Sequence, residues 1–191
     1  ADLVRMALGV LDEAGAPPQL PLWCMMETPR AMLRAEAIAA VHPRVGCLVM
    51  GTSDLAKDLH AASTPERLPM ITALGLCLLA ARACGLAILD GVHLDLQDDE
   101  GFAAACRQGA ELGFDGKTLI HPGQIEPANA AFAPDAAALA RARRIIEAHE
   151  QALREGKGVV VVEGRLVENL HVVEAQRQVL LADAIAAMVG S

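Results

Sequence analysis

The sequence predicts an α/β protein built around a parallel sheet. Short, almost wholly apolar runs alternate along the chain with longer segments of helical period, an alternation that is typical of repeated strand–helix units. The runs end near Met26, Met50, Leu89 and Leu119, a spacing close to the ~31 residues of one unit in an eight-stranded barrel. Two folds fit this pattern, a (β/α)8 barrel and a doubly wound sheet. A dinucleotide-binding Rossmann unit has little support, because no G-x-G-x-x-G motif follows any of the runs.

The chain is expected to begin with a helix, a strand and a second helix. Residues 3–14 have helical spacing that stops at Gly15. The apolar run 20–26 is too short for a helix that must bury one face, and it is predicted to form a buried parallel strand. Thr28-Pro29 then provides an N-cap and a first-turn proline for a helix through about Val41.

The same alternation continues through the middle of the chain. A second strand is predicted over 45–51, followed by a polar loop and a long helix over 66–84. A third strand over 86–91 leads to a helix over 98–112, and a fourth strand is expected over 114–120.

The last part of the chain has a different composition. Residues 135–155 form a charged, alanine-rich helical segment, 156–169 are expected to be a β-hairpin or an extended arm, and 171–189 a final helix. An arm in this position is well placed to contact a neighbouring subunit. Packing within its own chain is the alternative.

Composition narrows the possible functions. The 191 residues are 53% apolar and 21% charged, as expected of one folded domain with at most a small appendage. The net charge of −8, with only three Phe and one Trp, argues against a nucleic-acid partner. No apolar stretch reaches the ~18 residues of a membrane span. We expect a cytoplasmic protein whose five cysteines are small buried hydrophobes in a reducing compartment.

Two carboxylates follow successive predicted strands. Glu27 ends the first apolar run, and Asp54 follows the second in Gly51-Thr52-Ser53-Asp54. Two converging carboxylates would repel each other unless a cation bound them, and Mg²⁺ typically takes one or two protein carboxylates. The alternative is that Glu27 complements a helix dipole and Asp54 caps a helix. The backbone of Gly51, Thr52 and Ser53 could also bind a substrate carboxylate.

Three further polar features are interpreted as structural. Asp90 lies at the end of the third strand, and His121 precedes Pro122 at a predicted helix start. The acidic run that includes Asp95 and Asp98 is expected to be a solvated face.

In the segments that contain these polar residues, the sequence resembles a known family. It is similar to the citrate lyase beta-subunit-like CoA-ester lyases of the HpcH/HpaI aldolase superfamily, in particular the malyl-CoA and β-methylmalyl-CoA lyases. The resemblance covers essentially the whole chain through five segments in the family's order: MMETPRAMLRAEAIAA (25–40), GTSDLAKDL (51–59), LDGVHLDLQDDEGF (89–102), GFDGKTLIHPGQIEPANAAFAP (113–134) and EGRLVENLHVVEA (163–175).

The resemblance implies an architecture. Residues 1–155 would supply the C-terminal half of a (β/α)8 TIM barrel, and 156–191 a C-terminal arm and helix contacting a neighbouring subunit. It also implies homotrimers or homohexamers with active sites between subunits. The family's N-terminal strands carry an acidic Asp-Leu-Glu segment, a substrate-binding arginine and part of the CoA site, none of which is found here. We therefore expect the sequence to be a piece of a longer protein.

The resemblance also implies site residues. Glu27 and Asp54 match the family's magnesium ligands, and the backbone of Gly51-Thr52-Ser53 matches the loop that holds the carboxylate of a 2-oxo acid. Glu168, in Gly-Arg-Leu-Val-Glu, matches an acidic residue, often Asp, that acts as acid/base in an adjacent subunit. Glu is one methylene longer than Asp.

The function expected from this resemblance is Mg²⁺-dependent carbon–carbon lysis. A 3-hydroxyacyl-CoA such as malyl-CoA would be cleaved reversibly, in a Claisen-type reaction, to acetyl-CoA and glyoxylate, so the partners are a CoA thioester and a 2-oxo acid. A malyl-CoA thioesterase is one alternative, and a non-catalytic fragment or regulatory subunit that retains the metal pocket is the other. Malyl-CoA is not distinguished from its methylated relatives, because one methyl is worth only about 1–3 kcal/mol in an apolar pocket.

Overall fold

The computed structural model of the chain describes residues 1–156 and 160–189 and divides into two compact units, Ala1–Phe132 and Ala133–Ser191. The elements of the first unit are α1 (Asp2–Glu13), β1 (Leu22–Met26), α2 (Pro29–Met32), α3 (Ala35–Ala39), β2 (Val45–Met50), α4 (Thr52–Asp58), α5 (Leu68–Ala83), β3 (Ala87–Asp90), α6 (Asp99–Leu112), β4 (Gly116–Lys117) and α7 (Ile125–Phe132). Those of the second are α8 (Ala136–Arg154), β5 (Val160–Val162), β6 (Arg165–Val167) and α9 (Asn169–Val189).

The first unit contains a four-stranded parallel sheet in the order β1-β2-β3-β4. Met26 pairs with Met50, and Asp90 pairs with Lys117. Each crossover moves one strand further in the same direction, and right-handed crossovers of this kind put all the helices on one face. A doubly wound sheet reverses direction and has helices on both faces. The fold is therefore that of a (β/α)8 barrel, of which this sheet supplies four strands.

The core of this unit lies between one face of the sheet and its helices. Alternate strand residues meet α5 there, and the residues that are less than 2% exposed include Met26, Leu48, Met50, Leu74, Cys77 and Ile88. On the opposite face, Trp23 is 60% and Met25 54% exposed. Successive side chains of a strand point to opposite faces of the sheet. One face therefore packs on the helices, and the other faces the barrel interior.

Three of the predicted elements differ in the structure. The helix expected through Val41 is divided into α2 and α3, because Arg34 leaves the helical region with φ −129° and ψ 20°. The polar loop after β2 begins with a helix, α4. The fourth strand is only two residues long, Gly116–Lys117, and beyond it the Gln124 side chain accepts a hydrogen bond from Ile120 N at 3.1 Å.

The second unit consists of two helices and a hairpin. Asp135 caps α8 by accepting a hydrogen bond from Ala138 N at 2.6 Å, and α8 packs against α9. Strands β5 and β6 pair antiparallel, which confirms a hairpin within the predicted arm; its residues 157–159 lie outside the described residues. At the hairpin turn, Glu163 accepts a hydrogen bond from Arg144 at 2.6 Å.

Burial of the cysteines agrees with their interpretation as small hydrophobes. Four are buried and Cys84 is half-buried. Burial raises the pKa of the Cys47 thiol to about 11 and that of the Cys77 thiol to about 12. Within the described ranges, no helix is both long and apolar enough to cross a bilayer.

Candidate active site

The carboxyl ends of β1 and β2 bring two predicted site residues to the same edge of the sheet. Glu27 directly follows Met26, and Gly51 directly follows Met50, the residue that pairs with Met26 in the sheet. Gly51 N donates a hydrogen bond to Met26 O at 2.9 Å. A methyl group built on Gly51 would lie 2.5 Å from Glu27 Cβ and 3.0 Å from Glu27 Oε2. The glycine is therefore required because the Glu27 side chain lies against it.

Asp54 lies in the first turn of α4, three residues after Gly51, and its side chain is exposed. The N-cap of α4 is Gly51, so Asp54 does not cap this helix. Thr28 caps α2 by accepting a hydrogen bond from Ala31 N at 3.2 Å. In the described part of the chain, no hydrogen-bond donor or cation pairs with the carboxylate of Glu27 or Asp54. Both therefore remain available as ligands.

The residues present fit a magnesium ion. Glu27 directly follows β1, and Asp54 lies in the first turn of α4, the helix that follows β2. Mg²⁺ binds through one or two protein carboxylates while keeping waters and substrate oxygens. Among residues 1–156 and 160–189 there is no group of three or more His, Cys, Asp or Glu side chains that could hold a metal. The chemistry of this two-carboxylate donor set suits a hard cation that shares its coordination with a substrate.

The backbone around Thr52 and Ser53 begins a helix. Leu55 N donates to Gly51 O at 3.1 Å, and the N–H groups before Leu55 belong to the first turn, where a helix has no internal acceptors. This arrangement can receive a carboxylate, as the sequence suggested for Gly51, Thr52 and Ser53.

A buried ionic cluster lies at the ends of the next two strands, and sequence reasoning missed most of it. The Asp90 carboxylate is fully buried; it accepts hydrogen bonds from Arg67 Nη1 at 2.9 and 2.7 Å and from Lys117 Nζ at 2.9 Å. Arg67 also donates from Nε to Gln108 Oε1 at 2.6 Å. Burial lowers the pKa of the Lys117 ammonium, and the adjacent Asp90 partly opposes this shift.

The sequence contained one signal for this cluster. A lysine inside the apolar segment FDGKTLI must find a counter-charge if the segment is buried, and Asp90 is the acidic residue at the end of the preceding strand. Arg67 had no comparable signal, because it reaches Asp90 from a loop 23 residues away. The interpretation of Asp90 as structural agrees with these contacts.

The other residues singled out from the sequence have local roles. His121 Nδ1 accepts a hydrogen bond from Gly123 N at 3.1 Å and caps a short 3₁₀ turn at Pro122–Gln124. In the acidic run, Asp98 caps α6 by accepting from Gly101 N at 2.9 Å, and Asp95 accepts from Gln97 N.

Glu168 belongs to the second unit and precedes the first residue of α9. Its side chain is exposed. Its backbone N donates a hydrogen bond to His171 Nδ1 at 2.9 Å, and His171 N donates to Glu168 O at 3.0 Å. This reciprocal pair fixes the backbone of Glu168 at the start of the helix.

Comparison with known proteins gives a family match and close relatives. The HpcH/HpaI aldolase/citrate lyase family profile matches residues 6–122. A (3S)-malyl-CoA thioesterase of Cereibacter sphaeroides is 57% identical over 170 residues, which are 89% of this chain and 59% of the relative. The citrate lyase subunit beta of Escherichia coli is 35% identical over 180 residues, covering 94% of this chain and 59% of the relative. The chain thus spans 59% of the length of these curated relatives.

A solved structure is also similar. The CitE protein of Mycobacterium tuberculosis, determined in complex with magnesium, acetoacetate and coenzyme A, has a TM-score of 0.73 and 32% identity; the match covers 85% of this chain and 61% of that one. Magnesium is thus present with an acid and coenzyme A in a solved relative of this fold.

These relatives correct the function expected from the sequence. Carbon–carbon lysis was the preferred activity, with malyl-CoA thioesterase as an alternative. The thioesterases are 53–57% identical to this chain, and the citrate lyase subunits are 35% identical. The preference for a lyase was therefore wrong, and the alternative is the better supported assignment. The five motifs were informative about the scaffold but did not distinguish which bond of the substrate is broken.

Proposed function

The chain belongs to the HpcH/HpaI aldolase/citrate lyase family, and we propose that the protein to which it belongs hydrolyses malyl-CoA to malate and free coenzyme A. The observation that carries the choice of reaction is the 57% identity to a (3S)-malyl-CoA thioesterase. Support for the proposed site comes from the carboxylates of Glu27 and Asp54, which follow β1 and β2 and pair with no donor or cation among the residues that the structure describes. The reaction is hydrolytic: water adds its oxygen to the thioester carbon, the carbon–sulfur bond breaks, and the sulfur leaves as the coenzyme A thiol.

In this proposal Glu27 and Asp54 hold the magnesium ion. The bound cation supplies positive charge that orients the malyl oxygens and polarises the substrate. The backbone N–H groups of Thr52 and Ser53 would receive the terminal carboxylate of the malyl group, on the same turn that carries Asp54. Gly51 contributes by leaving room for the Glu27 side chain.

Glu168 is the proposed general base. A carboxylate can accept the proton of the attacking water, and positioned acid–base catalysis contributes roughly 10²–10⁴-fold. We propose that Glu168 serves the site of a neighbouring copy in a homotrimer or homohexamer, as the resemblance implies. Its backbone is fixed by the pair of hydrogen bonds with His171.

Product analysis tests the proposed reaction. With malyl-CoA and Mg²⁺, we expect free thiol and malate to appear in equal amounts, without glyoxylate. Glu27→Gln should abolish thiol release, since the amide is a poor ligand for Mg²⁺. A matched control, Glu13→Gln in the last turn of α1, removes an exposed carboxylate outside the site and should retain the wild-type rate. Formation of acetyl-CoA and glyoxylate would overturn the proposal.

A further inference from the structure

The buried cluster of Arg67, Asp90 and Lys117 is connected to the candidate site through one glycine. Asp90 Oδ1 accepts hydrogen bonds from the N–H of Gly91 at 2.8 Å and from Arg67 Nη1 at 2.9 Å, while Asp90 Oδ2 accepts one from Lys117 Nζ at 2.9 Å. The carboxylate is fully buried, and the Lys117 side chain is only 1% exposed. Because charge-assisted hydrogen bonds are strong where water is excluded, this carboxylate cannot rotate without losing several of them. The backbone of Gly91 is therefore fixed by the cluster.

Gly91 in turn lies against Thr52, the first residue of α4. A methyl group built on Gly91 would overlap Thr52 Oγ1, and it would lie 2.7 Å from Thr52 Cγ2 and 2.9 Å from Met50 O. Gly91 does not have a positive φ, so the requirement is for space and not for a left-handed backbone. The end of β3 thus sets a close limit on the position of Thr52.

We propose that Asp90 is a positioning residue: through Gly91 and Thr52 it fixes the turn 51–54, which carries the Asp54 carboxylate and the N–H groups of Thr52 and Ser53. This inference rests on the proposed function, because it assigns a purpose to the same metal and carboxylate site. It gives the Asp90 cluster a role beyond stabilising the fold. Loss of the hydrogen bond between Asp90 and Gly91 N should weaken Mg²⁺ binding even where the protein remains folded.

The first test is Gly91→Ala, measured by calorimetric titration with Mg²⁺ of the whole protein to which the chain belongs. We expect at least a tenfold weaker affinity than in the wild type, with shifted amide resonances for residues 52–54. Removing the side chain that the new methyl meets, in the double variant Gly91→Ala/Thr52→Ala, should recover part of the affinity. Gly75→Ala is the matched control, because a methyl group there meets nothing within 4 Å; its Mg²⁺ affinity should equal that of the wild type.

A second pair of variants isolates the hydrogen bond to Gly91 and does not depend on the folding of Gly91→Ala. In Asp90→Asn/Lys117→Met one negative and one positive charge are removed together, and the asparagine oxygen can still accept from Gly91 N. Asp90→Leu/Lys117→Met has the same charge as Asp90→Asn/Lys117→Met, but it lacks the acceptor for Gly91 N. We expect Mg²⁺ affinity within about threefold of wild type in the first variant and at least tenfold weaker binding in the second.

The possible results separate the two proposals. If the wild-type protein does not bind Mg²⁺, the proposed function is overturned, and this inference with it. If the wild type binds but the asparagine and leucine variants bind equally well, the positioning role is wrong and the proposed function stands. Unchanged amide resonances at residues 52–54 in a folded Gly91→Ala variant would likewise overturn the positioning role.

Discussion

Glu27 and Asp54 are available as ligands because neighbouring residues, and not these carboxylates, occupy the N-cap positions of the adjacent helices. Thr28 provides the cap of α2, and Gly51 occupies the N-cap of α4. Side-chain caps are commonly Ser, Thr, Asp or Asn, and an aspartate that capped α4 would have its oxygen engaged. Their positions, Glu27 at the end of one apolar run and Asp54 shortly after the next, are the signal that predicts them as ligands from the sequence.

At the residue scale, Glu168→Gln tests the proposed general base. The amide cannot accept the proton of water, so we expect kcat for thioester hydrolysis to fall roughly 10²–10⁴-fold. Mg²⁺ affinity should be unchanged. Asp183→Asn, which removes an exposed carboxylate elsewhere on α9, is the matched control and should retain kcat.

Mixing variants tests whether Glu168 acts on a neighbouring copy. Glu168→Gln and Glu27→Gln each lack one part of the proposed site, and mixed oligomers would contain some sites with both parts intact. We expect partial recovery of thiol release on mixing. Weakened Mg²⁺ binding in Glu168→Gln would show that this residue is misassigned, and absence of recovery would contradict a site shared between copies.

At the scale of elements, the sequence predicted the helices and strands well where apolar runs and capping residues mark them. Asp98 and Asp135 begin α6 and α8 as the helix-start rules predict. The division between α2 and α3 occurs at Arg34, where there is no glycine or proline to signal it. β4 ends at Lys117, and within the rest of the predicted strand the N–H of Ile120 donates to the Gln124 side chain. Such tertiary contacts are not visible in local sequence patterns.

The pairing of β3 with β4 brings Lys117 to Asp90, and this contact predicts a pH dependence of stability. Burial lowers the pKa of Lys117 in the folded state below its usual 10.5. Between the lowered pKa and 10.5 the unfolded chain binds more protons than the folded one, so the contribution of Lys117 to the free energy of unfolding rises with pH.

Urea unfolding of the wild type and Lys117→Met over a pH series measures this contribution. Other titrating groups are common to both proteins, so their effects cancel in the difference. We expect the free energy of unfolding of the wild type, relative to Lys117→Met, to increase as the pH rises toward about 10.5. A difference that stays constant or decreases with pH would show that the pKa of Lys117 is not lowered.

At the scale of the whole molecule, strand order and family membership describe the same scaffold. The consecutive parallel order β1-β2-β3-β4 selects the barrel over the doubly wound sheet, which the spacing of apolar runs alone left open. The family was predicted from five motifs, and the match over residues 6–122 confirms it. The reaction was not predictable in this way, because a thioesterase and a lyase can use the same metal site on the same acyl-CoA.

The proposed function depends most directly on one magnesium ion held jointly by Glu27 and Asp54. Calorimetric titration with Mg²⁺ of the wild type, Glu27→Gln, Asp54→Asn and the double variant measures this, with Asp58→Asn at the other end of α4 as the control. We expect one ion per chain in the wild type and in Asp58→Asn. Each single variant should bind at least tenfold more weakly, and the double variant should lose less than the two losses combined, because both residues act on one ion. Wild-type affinity in either single variant, or two independent sites, would contradict it.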